Sequence, residues 1–269
     1  MTDRLRKAEL EFEFFEAVDG KQLSPHLLEY VDPEHSEARR KYGTPLTPGE
    51  VGCALSHALI YRKMIDEQIP NAFVLEDDVT LSPELVRLIR GGDFTSLDGV
   101  GLVSLVYPPL YAWRGPSKTL AGGTRLYRPM ELASTTACYY LTSDVAARLW
   151  REAIPISDVA DWPFPIHQWK TMFCAYPRLA STNDEPEGSL IEDERALLIK
   201  ARLEFQQPYK ELFFTKWPFA PRVAARLLTL TLLPSVLWPE KFGTTAETKR
   251  FIRAAARNIK FRVLGRLLI

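Results

Sequence analysis

Apolar and polar residues change period several times along this chain, and each change predicts an element. Residues 12–20, FEFFEAVDG, read as a short strand closed by an Asp-Gly turn. Residues 21–46 are polar and irregular. From 47 to 67, TPGEVGCALSHALIYRKMIDE, the spacing becomes helical through Val51, Leu55, Ala58, Leu59 and Ile65. Thr47, Pro48 and Glu50 supply a cap, a first helical proline and the third member of a capping box. AFVLE at 72–76 is a buried strand by composition, and SPELVRLIRG after it opens a second capped helix. DGVGLVSLVY at 98–107 predicts another strand. RLYRP and STTACYYLT predict a hairpin or strand pair, and SDVAARLWREA at 143–153 a short helix capped by Ser143. Strands alternating with helices predict an α/β domain with a mixed, mainly parallel central sheet.

The strand 72–76 runs into three consecutive carboxylates, Glu76, Asp77 and Asp78. Like charges crowded together call for a cation, and α/β sheets bind ligands at the carboxyl ends of their strands. Carboxylate oxygens suit Mn²⁺ or Mg²⁺. An extended backbone places Glu76 and Asp78 on one face and Asp77 on the other. A divalent ion held by Asp78 with support from Glu76 leaves positions open for the oxygens of a nucleotide diphosphate. Neither a P-loop nor a dinucleotide fingerprint is present.

The 269 residues are 46% apolar, with 34 basic and 34 acidic side chains. That neutrality hides an asymmetry: residues 210–269 hold 12 Lys/Arg against 3 Asp/Glu, which leaves 22 against 31 in residues 1–209. Within the tail, Ile252, Ala256, Ile259 and Val263 recur at helical spacing beside a stripe of Arg253, Arg257 and Lys260. Such a segment reads either as a basic amphipathic helix on an anionic membrane surface or as a helix packed on the body with a solvated basic side. Without a recognisable binding module, nucleic acid is not an expected partner. The apolar run 227–238 is too short to span a bilayer and holds a proline. Three scattered cysteines and a charged N-terminus without a signal-peptide core point to a reduced, cytoplasmic protein. The expected division is a body over 1–205 and a basic helical extension over 206–269.

LTPGEVGCALSHALIYRKMI followed by AFVLEDDV resembles glycosyltransferase family 25, the bacterial lipopolysaccharide and lipooligosaccharide sugar transferases. FEFFEAVDG, TTACYYLTSDVAARL, IPISDVADWPF and EGSLIEDER are similar to further family segments in the same order, so the resemblance covers roughly 8–195. It implies a GT-A-like fold and transfer of galactose or glucose from a UDP-sugar, with inversion, to a lipid-linked surface glycan at the inner face of the cytoplasmic membrane. Glu76, Asp77 and Asp78 then stand for the metal- and donor-binding motif, with His57 and Ser189 as further donor contacts. Inversion needs a base for the acceptor hydroxyl, for which Asp161 leads and Asp158 is the rival.

Two departures from the family pattern stand out. The chain begins at about the first helix, where family members carry an apolar strand, and the family's Gly-Thr is Thr135-Thr136 here. The first motivates an alternative, a non-catalytic scaffold or glycan-binding member. His57 also reads as a satisfied helix histidine. His167 reads as a metal ligand or a loop residue. Trp162, Phe164 and Trp169 read as a sugar-stacking platform or as core, and Asn183 and Asp184 as a loop over the donor or as solvated.

Overall fold

The structure is a computed structural model, and it describes residues 2–106, 112–129, 135–162, 166, 169–182, 196, 198–205 and 236–237. Helices α1 (Thr2–Lys7), α2 (Pro25–Leu28) and α3 (Ser36–Tyr42) precede the long α4 (Pro48–Asp66). Then follow β1 (Asn71–Leu75), β2 (Val79–Leu81), α5 (Pro83–Gly91), β3 (Leu102–Ser104), β4 (Ala112–Thr119) and β5 (Arg125–Pro129). β6 (Cys138–Thr142), α6 (Ser143–Ala153), β7 (Met172–Tyr176), β8 (Ala180–Thr182) and β9 (Val236–Leu237) complete the order. The main sheet runs β1-β6-β3-β7-β5-β4-β9, and β2 pairs separately with β8.

This sheet is mainly antiparallel, not mainly parallel; β3 and β7 form its parallel pair. The expectation failed for a physical reason. Along β6, Cys138 and Tyr140 enter one core cluster, while Tyr139 and Leu141 enter the other. β7 alternates likewise, with Phe173 and Ala175 on one side and Met172 and Cys174 on the other. With α5 covering one face and α4 and α6 the other, strands read as unbroken apolar runs whatever their direction. Because β6 is antiparallel to both β1 and β3, and β3 is parallel to β7, β1, β3 and β7 point the same way. Their carboxyl ends therefore share one edge of the sheet.

Local signals fared unevenly. The α4 capping box forms as its residues predict, and Ser82 caps α5 by accepting from Leu85 N–H. At α6 the cap falls on Thr142, one residue before Ser143, and no side chain bonds there. The β5 and β6 segments are not partners: β6 lies between β1 and β3, and β5 between β4 and β7. FEFFEAVDG forms no strand. It runs along α4 instead, where Glu13 pairs with Lys63 at 3.1 Å and Val18 N–H donates to Ser56 Oγ at 2.8 Å. Gly20 and Gly52 permit that approach; a Cβ on Gly52 would meet the Val18 carbonyl at 2.4 Å.

Residues 198–205 are helical. They are tied to the body by Arg202, which donates to both Glu50 carboxylate oxygens at 2.8 Å. Of the segment 206–269, only Val236 and Leu237 are described, and they pair with β4 rather than forming helix. The basic stripe lies outside the described residues. Among those described, no helix is long and apolar enough to cross a membrane.

Candidate functional site

Glu76 follows β1, at the edge where β1, β3 and β7 end. Its N–H donates to Ala137 O at 2.8 Å, which continues the β1–β6 ladder by one residue. Val74 and Tyr139 face each other in register, so the period of two brings the Glu76 side chain to the Tyr139 face, beneath α4. There Glu76 Oε1 lies 3.3 Å from His57 Nε2, and His57 Nδ1 lies 2.8 Å from the Tyr139 hydroxyl. Tyr139 donates onward to the Tyr61 hydroxyl at 3.4 Å. Burial pushes both phenols above their ordinary range, so both remain neutral hydrogen-bonding groups. His57 is thus a buried, partnered histidine that also touches the carboxylate cluster.

The three carboxylates do not alternate as an extended strand would. Asp77 and Asp78 form a turn, closed by Val79 N–H donating to Glu76 O at 3.3 Å. Asp77 is exposed, while Glu76 and Asp78 are half-buried. Arg4 of α1 fastens this turn by donating to the Asp77 and Val79 carbonyls at 3.1 and 2.9 Å. Burial raises the Asp78 carboxyl above the usual range, with Glu76 and Asp77 adding repulsion and Arg4 only partly opposing it. Asp78 Oδ1 is buried without a hydrogen-bond partner among the described residues. An orphaned carboxylate oxygen that feels the charge of two neighbouring carboxylates is a position a hard divalent cation would satisfy. Asp78 and Glu76 therefore fit Mn²⁺ or Mg²⁺.

The Thr135-Thr136 pair does not block this corner. Thr136 Oγ1 reaches Glu76 Oε1 at 3.5 Å, and Thr135 Oγ1 accepts from Ala137 N–H at 3.0 Å. At the end of β3, Ser104 faces Tyr139 in register, and its buried hydroxyl lacks a partner among the described residues.

A cavity of about 210 Å³ lies on the other side of His57, between α4, the end of α6 and the 156–162 loop. Asp158 lines it, 5% exposed, and is ion-paired with Lys41. Asp161 is half-buried, between the lining residues Ala160 and Trp162. The loop is held by Asp32 N–H donating to Ile156 O at 2.9 Å and Ala38 N–H donating to Ser157 O at 2.9 Å. Trp162, with a left-handed φ of 54°, donates from Nε1 to Thr135 O at 3.2 Å and packs edge-on to Tyr139. Trp162 and Trp169 are buried in the core, so neither offers an open stacking face. Ser189, His167, Phe164, Asn183 and Asp184 lie outside the described residues.

Sequence reasoning missed Arg4, Ser104, Tyr139 and Arg202 as parts of this neighbourhood. Three of them lie 60 or more positions from the groups they serve, as Arg202 does at 152 from Glu50, and no local pattern marks such pairs. The Tyr139 phenol was the most accessible of these, sitting in a segment already read as strand.

Fold and site define a class first: an α/β body with a carboxylate turn at the shared strand edge, backed by a helix histidine. Comparison with known proteins then names the N-terminal part. Residues 1–92 match the model of glycosyltransferase family 25 (LPS biosynthesis protein), a stretch that carries α4 and the carboxylate turn. A "Glycosyltransferase 25 family member" of Aedes aegypti is 39% identical over 89 residues, 30% of this chain and 14% of the relative. "Procollagen galactosyltransferase 2" of Homo sapiens is 36% identical over 104 residues, 36% of this chain and 17% of the relative. A Drosophila melanogaster "Glycosyltransferase 25 family member" is 41% identical over 83 residues, 28% of this chain and 12% of the relative. The chain thus spans under a fifth of the length of these relatives. Residues 1–92 carry the similarity to glycosyltransferase family 25.

Proposed function

We propose that the chain is a divalent-metal-dependent, inverting hexosyltransferase that moves galactose or glucose from a UDP-sugar to a hydroxyl of a lipopolysaccharide or related lipid-linked glycan. The observation that carries this is the buried, unpartnered Asp78 Oδ1 in the carboxylate turn of the segment similar to glycosyltransferase family 25. Relatives named procollagen galactosyltransferases favour galactose. Their printed names also add a protein acceptor to those worth assaying.

Asp78 and Glu76 would hold the Mn²⁺ or Mg²⁺. When bound, that ion offsets the negative charge of the departing UDP diphosphate. His57 fixes Glu76, and Arg4 fixes the turn, so the carboxylates meet the donor already oriented. The acceptor hydroxyl attacks the anomeric carbon as the bond to UDP breaks, and its proton passes to Asp161. Asp158, buried against Lys41, positions the acceptor side of the cavity. The basic segment 249–266 would hold the protein peripherally on the anionic inner leaflet, close to a lipid-linked acceptor. Each Lys or Arg there contributes on the order of 1 kcal/mol.

The test is incubation with labelled UDP-galactose and UDP-glucose, with Mn²⁺ or with EDTA. Metal-dependent donor hydrolysis or transfer, lost in Asp78→Asn while circular dichroism is unchanged, is expected. Full activity in Asp78→Asn removes the metal assignment. No metal-dependent donor binding favours the non-catalytic alternative.

A further inference from the structure

Cys53 and His57 stand four residues apart on α4, one turn apart on one face, and the end of β1 brings Glu76 to the same place. One ligand atom from each lies within 4.8 Å of the other two. The 3.3 Å between His57 Nε2 and Glu76 Oε1 matches the edge of a tetrahedron whose metal–ligand bonds are about 2 Å. His57 is also oriented from behind. Its Nδ1 is engaged by the Tyr139 hydroxyl, the outer partner that characterises metal-binding imidazoles and that directs Nε2 to the ligand side. His57 also lines the neighbouring cavity, together with Ala54 and Tyr61.

We infer that Cys53, His57 and Glu76 form a site for a thiolate-binding divalent cation of the zinc class. It shares only Glu76 with the oxygen-donor site proposed at Asp78. The donor set separates the two. Sulfur and imidazole select zinc, whereas Mg²⁺ and Mn²⁺ prefer an all-oxygen shell. None of the three cysteines is in a disulfide, so Cys53 can supply a thiolate in exchange for its proton.

The full chain, reduced and stripped of metal, is titrated with Co²⁺ in the absence of oxygen. A near-ultraviolet thiolate-to-cobalt charge-transfer band that saturates at a 1:1 ratio is expected. Zn²⁺ should erase it, and excess Mg²⁺ should not. Cys53→Ser should abolish the band, and His57→Gln should weaken cobalt affinity by about tenfold or more. Asp78→Asn should keep the band, which separates this site from the one proposed for the donor. Absence of the band in the unaltered chain, or its survival in Cys53→Ser, overturns the site. Should Cys53→Ser fail to fold, alkylation of Cys53 in the unaltered chain decides the matter: slowing by stoichiometric Zn²⁺ supports the site, and an unchanged rate overturns it.

Discussion

Arg202 and Glu50 are 152 positions apart, yet two 2.8 Å hydrogen bonds join the guanidinium to a carboxylate whose side chain is fully buried. Arg202 also donates to Thr44 Oγ1 at 2.9 Å and to Pro45 O at 3.2 Å, and it lies over the Tyr42 ring. Glu50 meanwhile accepts from Thr47 N–H, completing the capping box at the start of α4. One carboxylate therefore caps the helix that bears His57 and ties residues 198–205 to it. Arg202→Ala removes the guanidinium from a buried carboxylate, and breaking a buried ion pair costs about 3–5 kcal/mol. Urea unfolding followed by circular dichroism should show the loss. Glu50→Gln keeps part of the cap and should lose less than Glu50→Ala.

Asp78 gives a prediction of opposite sign. Its carboxyl is raised in the folded chain by burial and by Glu76 and Asp77. A raised carboxyl binds its proton more tightly when folded, so that stabilising contribution is complete below the ordinary aspartate range. It is lost as pH rises through the raised value. At neutral pH the ionised side chain therefore opposes folding. Asp78→Asn should stabilise the metal-free protein by a few tenths to about 1 kcal/mol, a range reduced for its partial exposure. The gain should vanish at low pH, and the variant should lose the Mn²⁺-dependent rise in melting temperature. Thermal melts across pH, with and without Mn²⁺, check both parts.

These two groups also show where sequence reading succeeds. The Thr47–Glu50 cap and the strand leading into Glu76 were legible because capping and strand termination are local, and the chain spells them within a few residues. The Arg202 contact was not, since nothing near Glu50 announces a partner 152 residues away. Strand direction was hidden as well. Leu102, Val103, Tyr139 and Tyr140 look alike in a parallel or an antiparallel sheet once both faces are covered. The turn at Asp77 and Asp78 broke the assumed alternation because extended geometry ends at Leu75. His57 read either as a donor contact or as a satisfied helix histidine, and the structure places its Nε2 3.3 Å from Glu76 Oε1.

The contact between Gly52 and the 12–20 segment rests on the missing Cβ. An alanine there would place a methyl 2.4 Å from the Val18 carbonyl and 2.8 Å from Gly20 N, both backbone atoms that cannot swing aside. Although alanine favours helix by about 1 kcal/mol over glycine, the clash should win. Gly52→Ala is expected to destabilise by about 1–3 kcal/mol. It should also release the Val18–Ser56 hydrogen bond, read as faster amide exchange at Val18. A neutral or stabilising effect would mean that the segment yields easily.

The two acidic candidates in the 156–162 loop separate by their surroundings. Asp158 is 5% exposed, ion-paired with Lys41, and accepts from Val159 N–H at 2.8 Å. A carboxylate so engaged is a strong structural tie between the loop and α3. Asp158→Asn should therefore break the ion pair with Lys41 and lower the melting temperature along with any activity. Asp161 is half-buried one residue from the Trp162 turn. Asp161→Asn keeps the size and shape of the side chain, so any change in the melting temperature reports its structural share and is read beside the kinetics. A positioned base is worth about 10²–10⁴ in rate, so kcat should fall by that factor while KM for the UDP-sugar stays unchanged. Steady-state kinetics on both variants, paired with melts, tests the assignment. A large kcat loss confined to Asp158→Asn with an unaltered melt would transfer the base to Asp158.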